Sequence, residues 1–215
     1  LGLITTQGFR HVLEIARQSV PDGYGNSYFW VKPDRIVPLH LVQEVSERLD
    51  ARGQVVEELD EQSVIAAASF FRDSGIRSIG VCLLHSYLNS SHEERVKEII
   101  SEVFPEATVS ISSRVLREYR EYERSVTSLV DAFVKDRVDH YISSIRDRLE
   151  LISEAEPPAF YVMKSNGGII SSEAVGDQPI TTVLSGPAAG ALGAAEVARH
   201  AGFEHVLALD GGGTS

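Results

Sequence analysis

The segment Ile76 to Leu84 constrains the fold most. It is nearly continuous in apolar residues (Ile79, Val81, Cys82, Leu83, Leu84) and too short for a buried helix. A run of that length, without polar alternation, suits a strand covered on both faces, as in a parallel sheet. A helix signal precedes it: Asp60 stands at the cap of a helix over Glu61 to Asp73, and Gly75 follows where a left-handed residue closes the last turn. A second helix follows it, opened by Ser91 and Glu94 as a capping box and closed by Phe104-Pro105. Thr108 to Ile111 is the next strand and Gln54 to Val56 an earlier one. Strand and helix in alternation predict α/β architecture with right-handed crossovers.

The flanking segments are read the same way. Leu1 to Ile4 has the composition of the tail of a buried strand, and Thr6 is placed to cap a helix over Gly8 to Gln18. Ser19 to Pro38 mixes prolines and glycines with Tyr24, Tyr28, Phe29 and Trp30, which predicts an ordered flap whose aromatic residues pack. Leu41, Val45 and Leu49 alternate with charged residues at spacings that fit either strand or helix. Glu118 to Ile152 is helical and heavily charged, with apolar residues every three or four positions. Glu154 to Pro158 reads as a linker, which places a domain boundary at 156/157. Beyond it come a strand over Phe160 to Met163, a tight turn over Ser165 to Gly168, a small-residue helix over Ala188 to His200 and a strand over His205 to Asp210.

The charge of −11 lacks the basic face that nucleic-acid binding requires, and no apolar run reaches the roughly 20 residues of a membrane span. Cys82 is the only cysteine, so an intrachain disulfide is excluded and a reducing, cytoplasmic setting is expected. Met163 is the only methionine, and the apolar start reads as mid-strand, so an internal piece of a longer chain is expected.

The chemistry concentrates near the C-terminal end. An apolar strand, Val206 to Leu209, runs into Asp210-Gly211-Gly212-Gly213-Thr214-Ser215. Three glycines allow a sharp turn and bring bare N–H groups to an anion, phosphate above all. An acid beside them makes sense if it holds a divalent cation or its waters. A plain Gly-rich turn is the rival reading. Ser185-Gly186-Pro187 supplies a helix N-terminus just upstream, with Ser185 or Gly186 at the cap and Pro187 at the first helical position, and its alanines and glycines suit close packing. Three other groups are polar candidates. His85, His92 and Glu93 lie just after the central strand and are weighed as metal ligands against a mere helix start. Arg120 and Arg124 share a helical face in a charged run that is either a solvated surface or a substrate-facing one. Ser165, Asn166, Gly167 and Gly168 form a turn alone or line a substrate cleft.

A small-residue helix, an apolar strand and Asp-Gly-Gly-Gly-Thr together resemble the second phosphate loop of the actin, Hsp70 and sugar-kinase ATPases. Gly2 to Phe9, Leu84-His85-Ser86-Tyr87, His92-Glu93, Arg117 to Arg124, Ser165 to Gly168 and Ser185 to Gly190 resemble hydantoinase A/5-oxoprolinase motifs, in family order along almost the whole chain. The resemblance implies a ribonuclease-H-like (actin-like ATPase) α/β fold with a mixed sheet flanked by helices. It implies residues 1–156 as part of an N-terminal hydantoinase/oxoprolinase domain and 157–215 as the start of a second, ribonuclease-H-like domain. It further implies an ATP-dependent cyclic amide hydrolase that opens hydantoin or 5-oxoproline rings by phosphorylating the carbonyl oxygen. An ATP-dependent ketone carboxylase of the acetone or acetophenone type is the close rival, and a nucleotide-gated binding module the third reading. Asp210 to Ser215, with Ser185 and Gly186, would hold ATP and Mg²⁺, and a second divalent metal is an option. A hydantoinase B-type subunit and oligomeric assembly of the full-length protein are the partners implied. The first phosphate loop is expected upstream of Leu1, so this piece alone is expected to be inactive.

Overall fold

A computed structural model describes residues 1–18, 34–153 and 158–211. Two compact units are present, Leu1–Phe133 and Val134–Ser215. Tyr24, Tyr28, Phe29 and Trp30 of the expected flap lie outside the described residues, as do Gly212, Gly213, Thr214, Ser215 and most of the 154–158 linker.

The first unit is built on four strands, β1 (Gly2–Thr6), β2 (Val42–Val45), then, after the short β3 (Arg48–Leu49) and β4 (Val55–Glu57), β5 (Ser78–Cys82) and β6 (Thr108–Ile111). Their order is β2-β1-β5-β6 and every pairing is parallel. Among the described residues, the antiparallel component of the expected mixed sheet is confined to two hairpins, β3–β4 here and one in the second unit. Residues around Val45 are strand rather than helix, since Leu3 to Thr6 hydrogen-bond along Val42 to Val45.

Alternation along the strands sends side chains to two cores. Ile4, Ile79, Val81 and Leu83 pack with Val64, Ala68 and Phe71 of α2 (Glu61–Asp73) and with Val96, Ile99 and Ile100 of α3 (Ser91–Val103). Leu3, Val42 and Cys82 face the other way, against Leu13 and Leu129. Leu13 belongs to α1 (Val12–Ile15), α4 (Ser112–Val115) follows β6, and Leu129 lies on α5 (Glu121–Ile152). Two glycines make the close approach of the layers feasible. A Cβ on Gly2 would sit 2.3 Å from the Phe71 ring, and one on Gly80 would sit 3.2 Å from the Leu129 backbone nitrogen.

Asp60 caps α2 as expected, accepting from Gln62 N, and Gly75 has φ +69. Three local expectations are corrected. The helix over Gly8 to Gln18 shrinks to Val12–Ile15, because Gly8, Ala16 and Gln18 all take left-handed φ, which ends helical propagation. Thr6 is not its cap but the last residue of β1. The box at Ser91 and Glu94 does not form either: Asn89 Oδ1 accepts from Ser91 N and the Ser90 side chain makes no cap bond.

The second unit contains β7 (Tyr161–Met163) and β8 (Ile169–Ser171) as a hairpin, then α6 (Ser172–Val175) and α7 (Ser185–His200). Helix α7 begins two residues earlier than the Pro rule places it, so Ser185 and Gly186 are its first helical residues and Pro187 its third. Its small residues are not packed closely. An added Cβ on Gly186, Gly190 or Gly193 meets nothing within 4 Å, and Ala198 is the helix's buried residue. The strand expected over His205 to Asp210 is absent among the described residues, with Leu207 and Leu209 almost fully exposed. A strand needs a hydrogen-bonded neighbour, and among the described residues none pairs with this stretch. No helix among the described residues is long and apolar enough to cross a membrane.

Candidate functional site: the carboxyl edge of the parallel sheet

The four parallel strands of the first unit end at one edge, and several segments of the chain place polar side chains there. Two buried networks result. In the first, the Thr6 hydroxyl at the end of β1 donates to Glu47 Oε1 and accepts from Leu84 N at 3.0 Å. The other Glu47 oxygen lies 2.8 Å from His92 Nδ1. Thr6, Glu47 and His92 are all buried, and His92 Nε2 has no partner among the described residues. With Nδ1–H donated to the carboxylate, a neutral ring leaves Nε2 as a bare lone pair.

The second network is centred on Glu93, which is wholly buried. Its Oε1 accepts from Leu83 N at 2.9 Å, Ser86 Oγ at 2.8 Å and Ser112 Oγ at 2.7 Å, while Oε2 accepts from Ser113 N at 2.7 Å. Behind the two serines lies Arg124, the largest fully buried side chain described. Its Nη1 donates to Ser86 Oγ at 2.5 Å and Ser112 Oγ at 2.8 Å, its Nη2 to Leu83 O at 3.0 Å, and the guanidinium stands 5.6 Å from the Tyr87 ring centroid. The serine hydroxyls therefore accept from the cation and donate toward the carboxylate. This relay joins the turn after β5, α3, α4 and α5 at one point.

Cys82 lies under the same edge, its Sγ 3.6 Å from Glu121 O. Burial pushes its thiol up to about 11 from 9.0, with the Arg124 charge offsetting only part of the rise. A raised thiol pKa keeps the folded state protonated while the unfolded state ionises. Stability from this source is thus full below pH 9 and is lost as pH climbs toward 11. We predict that Cys82→Ala shrinks the loss of unfolding free energy between pH 8 and 11 by about 2 kcal/mol. The same thiol should resist Ellman's reagent at pH 8 until the chain is unfolded; rapid native labelling would contradict its burial.

The residues singled out from sequence fare differently. His92 and Glu93 are in the edge networks, but His85, His92 and Glu93 do not converge as metal ligands. The Glu93 carboxylate is saturated by four protein donors, and no group of three His, Cys, Asp or Glu among the described residues is arranged for a metal. Arg120 and Arg124 part company: Arg124 is buried, whereas Arg120 is exposed with its Nε 3.1 Å from Tyr119 Oη. Ser165 to Gly168 form the β7–β8 turn, with Gly167 at φ +85 and Gly168 N bonded to Asn166 Oδ1. Ser185 and Gly186 open α7, and Asp210 and Gly211 lie exposed in the unpaired stretch. Glu47 was not foreseen, although the alternation Val45, Glu47, Leu49 puts it on the side of two fully buried residues.

Comparisons with known proteins bear on this arrangement. The profile described as "Hydantoinase/oxoprolinase N-terminal region" matches residues 1–104, and "Hydantoinase/oxoprolinase" matches 124–215. The acetophenone carboxylase gamma subunit of Aromatoleum aromaticum is 34% identical over all of this chain and 30% of its own length. A nucleotide-free acetone carboxylase structure superimposes with a TM-score of 0.81 at 26% identity, covering 94% of this chain and 29% of that one. The ATP-dependent caprolactamase of Pseudomonas jessenii superimposes with a TM-score of 0.79 at 28% identity, covering 99% and 30%. The chain spans about a third of the length of such relatives. With both profiles matched in order over nearly all its residues, the chain belongs to the hydantoinase/oxoprolinase family.

Proposed function

We propose that this chain is part of a subunit of an ATP-dependent enzyme that opens cyclic amides, with hydantoin and 5-oxoproline as the substrate type. The observation that carries the reading is the ordered match of both family profiles. The likeness to a protein described as an ATP-dependent caprolactamase supports it. Residues 1–156 would then belong to an N-terminal α/β domain and 157–215 would open a second, ribonuclease-H-like domain. A hydantoinase B-type subunit is the partner proposed, and the setting proposed is cytoplasmic.

ATP and Mg²⁺ would be held by Asp210 to Ser215 together with Ser185 and Gly186. The donor set fits. Asp210 is exposed, nothing approaches within 4 Å of a Cβ built on Gly211, and the adjoining glycines, Thr214 and Ser215 offer amides and hydroxyls suited to phosphate. When bound, ATP supplies an activated phosphoryl group for an otherwise unreactive carbonyl oxygen. The turn at Ser165, Asn166, Gly167 and Gly168 is proposed to face substrate, and Arg124, through Ser86, Ser112 and Leu83, to position the turn after β5.

A ketone carboxylase is the second reading. It is favoured by the identity to the acetophenone carboxylase subunit and the likeness to acetone carboxylase. One experiment separates the two. ADP release by the full-length protein with its partner subunit is followed on hydantoin, 5-oxoproline, caprolactam and acetophenone, with and without bicarbonate. Amide-dependent, bicarbonate-independent release is the expected result. Release that needs both ketone and bicarbonate selects the carboxylase, and release with none of the four removes both readings.

A further inference from the structure

Connections leave the two central strands in opposite directions. From β1 the chain passes to β2 on one side, and from β5 it passes through α3 to β6 on the other. In open parallel sheets such a divergence opens a crevice at the carboxyl ends of the two strands, where ligands bind. The turn that follows β5 carries His85.

His85 has φ +58, a left-handed backbone uncommon in any residue other than glycine. The turn around it is fixed at several points. Leu88 N and Asn89 N donate to its carbonyl at 3.0 and 3.3 Å, Leu84 N is bonded to Thr6 Oγ1, and Ser86 Oγ is bonded to Glu93. Its imidazole is partly exposed, yet Nδ1 is buried without a hydrogen-bond partner among the described residues. Backbone strain and an unmet buried nitrogen both disfavour this residue as a structural choice, and such features collect where ligands bind. Beside the ring stands the Tyr87 ring, 6.3 Å away between centroids, and the Arg124 guanidinium lies 5.6 Å from the Tyr87 centroid. An aromatic wall beside an imidazole suits a small planar polar molecule.

We propose that His85 contacts the substrate, its imidazole hydrogen-bonding the carbonyl or ring amide at the crevice between the ends of β1 and β5. The ligand class rests on the proposed function above. The test uses His85→Asn and His85→Gly in the full-length protein with its partner subunit, since both residues take positive φ readily. Both variants keep the wild-type Tm within about 2 °C or exceed it, while kcat/KM falls by about 100-fold or more. A Tm lower by more than about 4 °C in both makes His85 a structural residue and overturns the assignment. So does a kcat/KM within about threefold of wild type, well short of the effect of losing such a group. In parallel, the His85 ring resonances of isotope-labelled protein are followed as hydantoin, 5-oxoproline, caprolactam or acetophenone is added. A shift that saturates with one of them supports the site. Turnover by wild type with an unmoved His85 ring removes only the His85 assignment, whereas no turnover and no shift with any of the four removes both.

Discussion

Replacing Glu93 by alanine is expected to destabilise the first unit by about 3–5 kcal/mol, the range for losing one member of a buried charged network. The reason lies in what the carboxylate leaves behind. Leu83 N and Ser113 N lose their acceptor, Ser112 Oγ loses its carboxylate partner, and the buried Arg124 loses the negative charge it reaches through the serines. A buried donor without an acceptor costs about 1–3 kcal/mol, so two backbone amides alone approach the total. Glu93→Gln keeps the volume and separates the causes. Its NH₂ group must face either Ser113 N or the three donors on the other oxygen, so a donor meets a donor either way. The glutamine variant should therefore lose about 3 kcal/mol despite its shape. Urea unfolding followed by far-UV circular dichroism measures both. A loss below about 1 kcal/mol for alanine would mean that water or rearranged side chains satisfy these donors.

This network marks the limit of what the sequence makes legible. Strand β5 and helix α2 can be read directly, because a continuous apolar run, a cap aspartate and a closing glycine each have a local physical meaning. Strand β2 could not be separated from helix, since Leu41, Val45 and Leu49 fit either period and only pairing with β1 decides it. Arg124 shows the deeper difficulty. In a run such as Arg117 to Arg124 the usual expectation is a solvated face, and Arg120 obeys it. Arg124 is buried because Leu83, Ser86 and Ser112, up to 41 residues away in sequence, supply its acceptors, which no local pattern announces. His92 and Glu93 stand just beyond β5, where the strand–helix order puts them, and both are buried in hydrogen-bonded networks. Four donors on Glu93 make it a structural anchor, and its helical position alone could not reveal them. The Gly-rich stretch Asp210 to Ser215 resembles the family through residue type, and its last four residues lie outside those described.

Arg124→Met should cost about 3 kcal/mol, less than Glu93→Ala, because the two losses are unequal. Methionine fills much of the same volume, and Glu93 keeps all four of its donors when the guanidinium goes. What is lost is the set of three hydrogen bonds from Arg124 and the charge that balances a buried carboxylate. An orphaned Arg124 Nε is removed at the same time, which offsets part of the loss. The double variant Arg124→Met/Glu93→Gln then reports whether the two charges act as a pair through Ser86 and Ser112. If they do, its destabilisation falls short of the sum of the single losses by about 1–3 kcal/mol, whereas independent residues add to within about 0.5 kcal/mol. Replacing such a pair by apolar residues is often harmless elsewhere, yet it should not be here. Leu83 N and Ser113 N still need an acceptor that no apolar side chain offers. The pair also sets the turn that carries His85, since Arg124 and Glu93 both hold Ser86. Arg124→Lys is the informative companion: it preserves the charge but not the three-way donation of a planar guanidinium. If geometry rather than charge positions the turn, the lysine variant recovers little of the stability and none of the turnover of the full-length protein.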